Sequence, residues 1–92
     1  MKLVYLRSAL RDLESIRTYI TRDNPEAARR VIARIERCAE RLASFPYSGR
    51  PGPRGIRLLS VPGLPYVVIH RIQEETVKIV AVFHTARDRG FR

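Results

Sequence analysis

The strongest alternation of apolar and polar residues lies in the last third of the chain. The run from Pro65 to Arg87 reads PYVVIHRIQEETVKIVAVFHTAR and is rich in β-branched and aromatic residues on both sides of a polar stretch, Gln73 to Glu75. Such residues favour strands, and a short polar connector between two runs of them is typical of a hairpin. The pattern therefore predicts one strand over Tyr66 to Ile72 and a second over Thr76 to His84.

The second predicted strand has two different faces. Successive side chains of a strand point to opposite sides, so four apolar residues are expected to share one side and to be buried against the rest of the fold. They are Val77, Ile79, Ala81 and Phe83. The other side carries Lys78 and His84, and Arg87 follows just beyond the strand. This second side is the first place to look for function.

Helical spacing of apolar residues dominates the first half of the chain. A short apolar run over Leu3 to Leu6 predicts a strand, and the next apolar positions predict a helix from Ala9 to about Arg22, with Ser8 as its N-cap. Asn24-Pro25-Glu26 is a sharp start signal, because Asn is a favoured N-cap and Pro is tolerated at the first helical position. A second helix is expected from Pro25 to about Ser44.

The middle of the chain connects these helices to the hairpin. The segment from Pro46 to Gly55 contains too much Pro and Gly for a helix or a central strand. Arg57 to Val61 then reads as a strand, which Pro62 to Pro65 turns into the strand that starts at Tyr66. The predicted order is β-α-α-β-β-β in a single domain, residues 1–92. We expect an α+β fold in which a helical hairpin packs on a small antiparallel sheet.

The net charge points to an acidic partner. Eighteen Lys and Arg against nine Asp and Glu give a formal charge of +9 and an isoelectric point near 11. All but two of the basic residues are arginine, whose planar guanidinium suits paired hydrogen bonds to phosphate or carboxylate. A chain of this charge favours nucleic acid, an acidic protein or an anionic membrane surface.

The second predicted helix carries a stripe of arginines. At about 100° per residue, four of them fall on one side of the helix. They are Arg30, Arg34, Arg37 and Arg41. Two interpretations stay open: the stripe binds an acidic partner, or it is an ordinary solvated helix face.

Other classes of function find little support. Cys38 is the single cysteine, so the chain has no internal disulfide, and no apolar run is long enough for a membrane span. We therefore expect a cytoplasmic protein without a membrane anchor. Two His and one Cys in unrelated positions predict no metal site, and no motif predicts a cofactor. Tyr47 and Tyr66 are expected to be packing residues with solvated hydroxyls.

Several segments together carry a family resemblance. NPEAARRVIARIE, FPYSGRPGPRGIRLL, PYVVIHRI and VKIVAVFHTARD, in this order, resemble the RelE/ParE superfamily of toxins from bacterial type II toxin-antitoxin modules. The similarity spans nearly the whole chain. It implies the fold described above, a role in plasmid stabilisation or growth inhibition, and a cognate antitoxin bound in a hetero-oligomer. The resemblance makes the arginine stripe, Arg30, Arg34, Arg37 and Arg41, the expected antitoxin-binding surface.

The two branches of the superfamily imply different chemistry. RelE-like toxins cut messenger RNA on the ribosome, and the candidates for that work here are His84, Arg87, Arg57 and Arg71. However, Val67 stands where that branch usually has an Arg, and the sequence ends at Arg92, before the aromatic acid-base residue that the branch implies. ParE-like toxins inhibit DNA gyrase without cleavage.

The ending HTARD is closer to the ParE branch, so a non-enzymatic gyrase inhibitor is the favoured hypothesis. The residues expected to bind the target are Arg71, His84 and Arg87. The ribosome-dependent nuclease remains the alternative, and a plain basic nucleic-acid-binding module is a lesser one. Bland roles also stay open, because His84 can simply hydrogen-bond the backbone and Arg87 can pair with Asp88.

Overall fold

The computed structural model describes residues 1–87 and confirms the predicted α+β order, with one short strand added before the second predicted strand. Two helices lie on one side of a five-stranded sheet. The elements are β1 Lys2–Tyr5, α1 Arg7–Thr21, α2 Pro25–Glu40, β2 Arg50–Pro51, β3 Ile56–Ser60, β4 Tyr66–Gln73 and β5 Thr76–His84.

The sheet is mixed, whereas the sequence predicted an antiparallel one. Its strand order is β1-β5-β4-β3-β2. Strands β3, β4 and β5 are antiparallel neighbours as expected, and the unpredicted β2 is antiparallel to β3. Strand β1 runs parallel to β5, with Lys2 opposite Thr76 and Tyr5 opposite Ile79. No tight turn links β1 to β5, because both helices and three strands lie between them in the chain. A parallel pairing is therefore available to it.

The helix ends follow the sequence signals only in part. Asn24 caps α2, and its side-chain oxygen accepts a 3.0 Å hydrogen bond from the Ala27 amide. Helix α2 ends at Glu40, earlier than predicted, and continues as one 3₁₀ turn, Arg41–Ala43. Ser8 is not the cap of α1, because that helix already begins at Arg7.

The main core lies between the helices and the sheet. Side chains of α1, α2, β4 and β5 pack together there, and the largest of them are fully buried from solvent. The buried residues of this helix-side core are Ala9, Leu13, Ile16, Ile32, Ile35, Ala39, Leu42, Val61, Tyr66, Val68, Val77, Ile79 and Val82.

A β-bulge in β5 changes which residues face the helices. Ile69 pairs with Ala81 and His70 with Ile79, so Val80 is the extra residue. An extra residue shifts the alternation by one position. The prediction that four apolar residues share one face is therefore wrong. Val77, Ile79 and Val82 face the helices, whereas Val80, Ala81 and Phe83 belong to an outer cluster on the other side of the sheet, with Ile56, Val67, Ile69 and Leu58.

Helix α1 holds the bulge in place through two side chains. The Ser8 hydroxyl donates to the carbonyl oxygen of Val80 at 2.5 Å, and a carboxylate oxygen of Asp12 accepts from the Val82 amide at 2.9 Å. A bulge interrupts the ladder of backbone hydrogen bonds, and buried backbone groups need partners. These contacts fix the shifted alternation that puts His84 on the helix side.

Candidate functional site

The end of β5 forms a compact polar cluster with α1 and β4. We call Tyr19, Tyr66, His84 and Arg87 the terminal cluster. The guanidinium carbon of Arg87 lies 4.0 Å from the centre of the Tyr19 ring, and one of its nitrogens donates to the Tyr66 hydroxyl at 3.2 Å. A cation over an aromatic face is attracted to it. The Arg87 side chain is therefore held in one orientation at the protein surface.

His84 stabilises this arrangement through contacts with Tyr66 and with the backbone at Ala86 and Arg87. Its ring meets the Tyr66 ring edge to face, with centres 5.2 Å apart and planes at 88°. Its Nδ1 accepts hydrogen bonds from the amides of Ala86 at 3.1 Å and Arg87 at 3.0 Å. An accepting Nδ1 carries no proton, so Nε2 carries the ring proton. One of the roles expected for His84, hydrogen bonding to the backbone, is thus present. The expected pairing of Arg87 with Asp88 falls outside the described residues.

The prediction that Lys78 and His84 lie on the same face is wrong because of the bulge. Lys78 is on the side away from the helices, where its ammonium donates to the Gln73 side chain at 3.0 Å. His84 pairs in register with Tyr66, whose side chain belongs to the helix-side core. The terminal cluster therefore lies beside α1 and not on the outer face of the sheet.

Two other candidates lie away from the terminal cluster. Arg71 is exposed and points to the face of the sheet away from the helices, between Ile56 and Lys78 in register. Arg57 lies opposite His70, four residues along β4 from Tyr66, which is about 13 Å in the strand direction. The structure thus brings His84 and Arg87 together and leaves Arg57 and Arg71 apart.

A groove of about 740 Å³ runs between the C-terminal half of α2 and β3. Leu42, Leu59 and Val61 give it an apolar floor, and arginines of the predicted stripe stand along it. We call this the α2–β3 groove; its other lining residues are Arg34, Arg37, Cys38, Glu40, Arg41, Ser44, Ser48, Ser60 and Pro62. Arg30 does not line it. Three of the four stripe arginines therefore border one concave surface.

The groove arginines form no ion pair within residues 1–87. Arg34 donates to the carbonyl oxygen of Pro62 and so ties α2 to the turn between β3 and β4. Within residues 1–87 the ion pairs are Arg17 with Glu14 and Arg29 with Glu26. Neither pair involves the groove, so none of its arginines is neutralised by a carboxylate of residues 1–87.

Cys38 lies in the wall of the groove, half-buried, with its sulfur 3.9 Å from the Ser60 carbonyl oxygen. Burial raises the pKa of the thiol, and the nearby Arg41 charge opposes that rise. Alkaline pH is therefore needed to make it reactive, since the thiolate is the nucleophile.

His70 is a buried residue that the sequence analysis did not single out. It is 0% exposed, and its Nε2 donates to the carbonyl oxygen of Pro46 at 3.0 Å. Burial lowers the pKa of the imidazole; the hydrogen bond to Pro46 acts the other way, and the charge of Arg57 lowers it further. The available signal was a polar residue in the apolar run VVIHRI, where a buried His must find a partner.

We expect His70 to destabilise the protein in acid. Its folded-state pKa lies below the unfolded value of about 6.5, so the unfolded chain binds more protons between those two values. Its stabilising contribution is complete above about pH 6.5 and is lost as the pH falls through the folded-state pKa. His70→Gln, which cannot titrate, should flatten urea-unfolding stability between about pH 7 and 5. An unchanged slope in the variant would contradict this role.

Residues 1–87 contain no group of three His, Cys, Asp or Glu side chains placed to hold a metal ion. Neither α1 nor α2 is long and apolar enough to cross a bilayer.

Comparison with known families decides the class of protein. Residues 3–89 match the family described as "ParE toxin of type II toxin-antitoxin system, parDE". The chain belongs to the ParE toxin family. This confirms the resemblance to the RelE/ParE superfamily, and the chain is the toxin type of a type II toxin-antitoxin system.

Similar proteins carry names from both branches of the superfamily. This ParE family member is 44% identical over 77 residues to toxin Y4kP of Sinorhizobium fredii, covering 83% of this chain and 79% of that protein. It is 38% identical over 87 residues to toxin RelE2 of Caulobacter vibrioides, covering 94% and 97%. The chromosomal ParDE system of P. aeruginosa superposes with a TM-score of 0.81 at 25% identity, covering 91% of this chain and 95% of that one. These likenesses support the fold, while the names leave the target open.

Proposed function

We propose that this ParE family toxin inhibits DNA gyrase by binding it, without cleaving a substrate. The observation that carries the proposal is the separation of the four candidate catalytic residues. Cutting RNA needs a base for the 2′-hydroxyl, a positive charge on the phosphate and an acid for the leaving oxygen, all within hydrogen-bond reach of one phosphodiester. Only His84 and Arg87 of the four lie together, as described above.

The protonation pattern of His84 also favours binding over catalysis. Two backbone amides donate to its Nδ1, so this nitrogen cannot take a proton from a ribose 2′-hydroxyl. Val67, at the position where the nuclease branch usually has an Arg, is 4% exposed and lies in the outer apolar cluster. A second cationic group for the scissile phosphate is therefore missing from that position.

Arg87 is suited to a binding role. Its guanidinium is exposed, yet Tyr19 and Tyr66 hold it in place. A pre-ordered arginine loses less side-chain entropy when it pairs with a carboxylate or phosphate of a partner. We propose Arg87 as the target-binding residue, with His84 positioning it and Arg71 as a separate contact on the other face. We also propose a cytoplasmic location for the toxin, because gyrase acts inside the cell.

The alternative is a RelE-like, ribosome-dependent nuclease. The likeness to toxin RelE2 favours it, as does the adjacency of His84 to Arg87. In that case His84 Nε2 would be the acid-base group and Arg87 the phosphate ligand.

An antitoxin is proposed as the second partner, bound in the α2–β3 groove. The groove joins an apolar floor to Arg34, Arg37 and Arg41. An amphipathic acidic segment that folds on binding fits such a surface. The resulting hetero-oligomer would keep the toxin from its target.

The deciding experiment incubates purified toxin with gyrase and relaxed plasmid, and separately with translating ribosomes and messenger RNA. We expect supercoiling to be inhibited and the message to stay intact. Arg87→Ala should raise the half-inhibitory concentration about ten- to a hundredfold, since a hydrogen bond to a charged group contributes about 1.5 to 3 kcal/mol. His84→Gln should retain most of the inhibition.

The control is Arg7→Ala, which removes the same charge from an exposed position at the start of α1. It should inhibit like the parent protein. Codon-positioned cuts in the message, slowed about 10² to 10⁴-fold by His84→Gln, would instead establish the nuclease.

A further inference from the structure

Two exposed aromatic rings stand close together on the loop between α2 and β2. Phe45 is 59% exposed and Tyr47 68% exposed, so the prediction that Tyr47 is a packing residue is wrong. Tyr19 is the remaining exposed aromatic among residues 1–87, and Arg87 already lies against its ring. Phe is usually buried. A pair of open rings on one loop therefore calls for a role other than folding.

Each of these rings has an arginine over one face. The guanidinium carbon of Arg41 lies 6.0 Å from the centre of the Phe45 ring, and that of Arg57 lies 5.7 Å from the centre of the Tyr47 ring. We call Phe45, Tyr47, Arg41 and Arg57 the loop platform. A guanidinium covers one face of a ring and leaves the opposite face available for a second flat group.

The loop that carries the platform is held by side chains of β3 and β4. Buried His70 binds the Pro46 carbonyl, and Arg57 donates to the carbonyl oxygens of Tyr47 at 2.8 Å and Gly49 at 3.2 Å. Gly49 has φ 87°, and a Cβ there would lie 2.3 Å from the Leu58 carbonyl oxygen. The rings are thus presented in a preformed arrangement, which lowers the entropic cost of binding.

From Arg41 to Gln73 the sequence carries only positive charges, and Glu40 directly precedes Arg41. Residues 41–73 contain Arg41, Arg50, Arg54, Arg57 and Arg71 and not one Asp or Glu. Arg50 directly follows the loop and Arg54 lies four residues further on; both are exposed, and neither forms an ion pair with a carboxylate of residues 1–87. An anionic ligand would meet no opposing charge from this stretch.

We propose that the loop platform binds single-stranded nucleic acid, with bases stacked on Phe45 and Tyr47 and phosphates beside Arg50 and Arg54. Proteins that bind single strands combine aromatic stacking with a basic surface. Residues two apart span at most about 7 Å, which is about two nucleotide steps at 3.4 Å per step. Duplex DNA keeps the faces of its bases inside the stack, so it cannot use the open rings.

An acidic protein segment would satisfy the arginines but has no general use for the ring faces. The platform is also independent of the terminal cluster and of the proposed target. The result of the single-strand binding test therefore does not depend on the result of the gyrase assay.

The test measures fluorescence anisotropy of labelled oligo(dT), oligo(U) and a duplex, each about twelve units long, a length within the range of single-strand binding sites. We expect both single strands to bind more tightly than the duplex. The Phe45→Ala/Tyr47→Ala double variant should weaken single-strand binding at least tenfold, because each stacked base contributes to affinity. Arg50→Gln/Arg54→Gln should lower the salt slope by about 1 to 1.5, since each phosphate contact contributes about 0.7.

Leu10→Ala is the matched control, because it removes an exposed apolar side chain from α1. It should bind like the parent, and thermal unfolding should confirm that every variant is folded. A preference between oligo(dT) and oligo(U) would assign the platform to DNA or RNA. Equal binding of the duplex, affinity that does not depend on the rings, or equally ring-dependent binding of poly-glutamate would overturn the proposal.

Discussion

Ile79→Ala should lower the free energy of unfolding by about 2 to 5 kcal/mol, the usual cost of truncating a buried isoleucine. Ile79 is 0% exposed and lies in the helix-side core, where little can move to fill the cavity. Phe83→Ala should cost less, about 1 to 2 kcal/mol, because Phe83 is only half-buried and lies in the outer cluster. Urea unfolding followed by circular dichroism measures both.

The contrast between these two variants tests the bulge at Val80. Strict alternation along β5 would put Ile79 and Phe83 on the same buried face, and truncating the phenylalanine would then cost about 3 to 5 kcal/mol. Small domains have only about 5 to 15 kcal/mol of stability. A Phe83→Ala variant that is destabilised as much as Ile79→Ala would therefore contradict the register of β4 and β5 described here.

The elements could be predicted from the sequence because their signals are local. Asn24-Pro25-Glu26 starts α2 where expected, and the Asn24 cap is present. The polar connector after β4 and the Pro-rich turn before it both lie where the turn residues indicated. The bulge could not be predicted, because Ser8 and Asp12, which hold it, are about 70 residues away in sequence from the groups that they bind.

Only the parts of the candidate site that are close together in sequence could be predicted. His84 and Arg87 are three residues apart, so their proximity follows from the sequence. Tyr19 lies within the first predicted helix, and nothing local indicates that it receives the Arg87 guanidinium. The position of Arg71 away from this cluster follows from strand alternation, which places it on the opposite face of β4 from Tyr66.

Reversing three charges in the α2–β3 groove should weaken antitoxin binding about a hundredfold or more. Arg34→Glu, Arg37→Glu and Arg41→Glu together would replace attraction for an acidic segment by repulsion, and like charges across an interface cost several kcal/mol. Arg30→Glu alone should have a smaller effect, because Arg30 does not line the groove. The partner in the assay is the small acidic protein expected from the adjacent reading frame, co-purified with the toxin.

Cys38 provides a direct measure of where the antitoxin binds. It is the single cysteine of the chain and lines the groove, so a bound antitoxin should protect it from alkylation at alkaline pH. The matched control is Arg11→Glu, Arg17→Glu and Arg22→Glu on the exposed side of α1, which makes the same change in net charge. If this control weakens binding equally, the attraction depends on the net charge of the toxin and not on the groove.

If the groove variant still binds the antitoxin and Cys38 still reacts in the complex, the antitoxin binds elsewhere. Protection of Cys38 that is lost only in the groove variant would assign the interface to the groove, because net charge is then held constant between the two proteins.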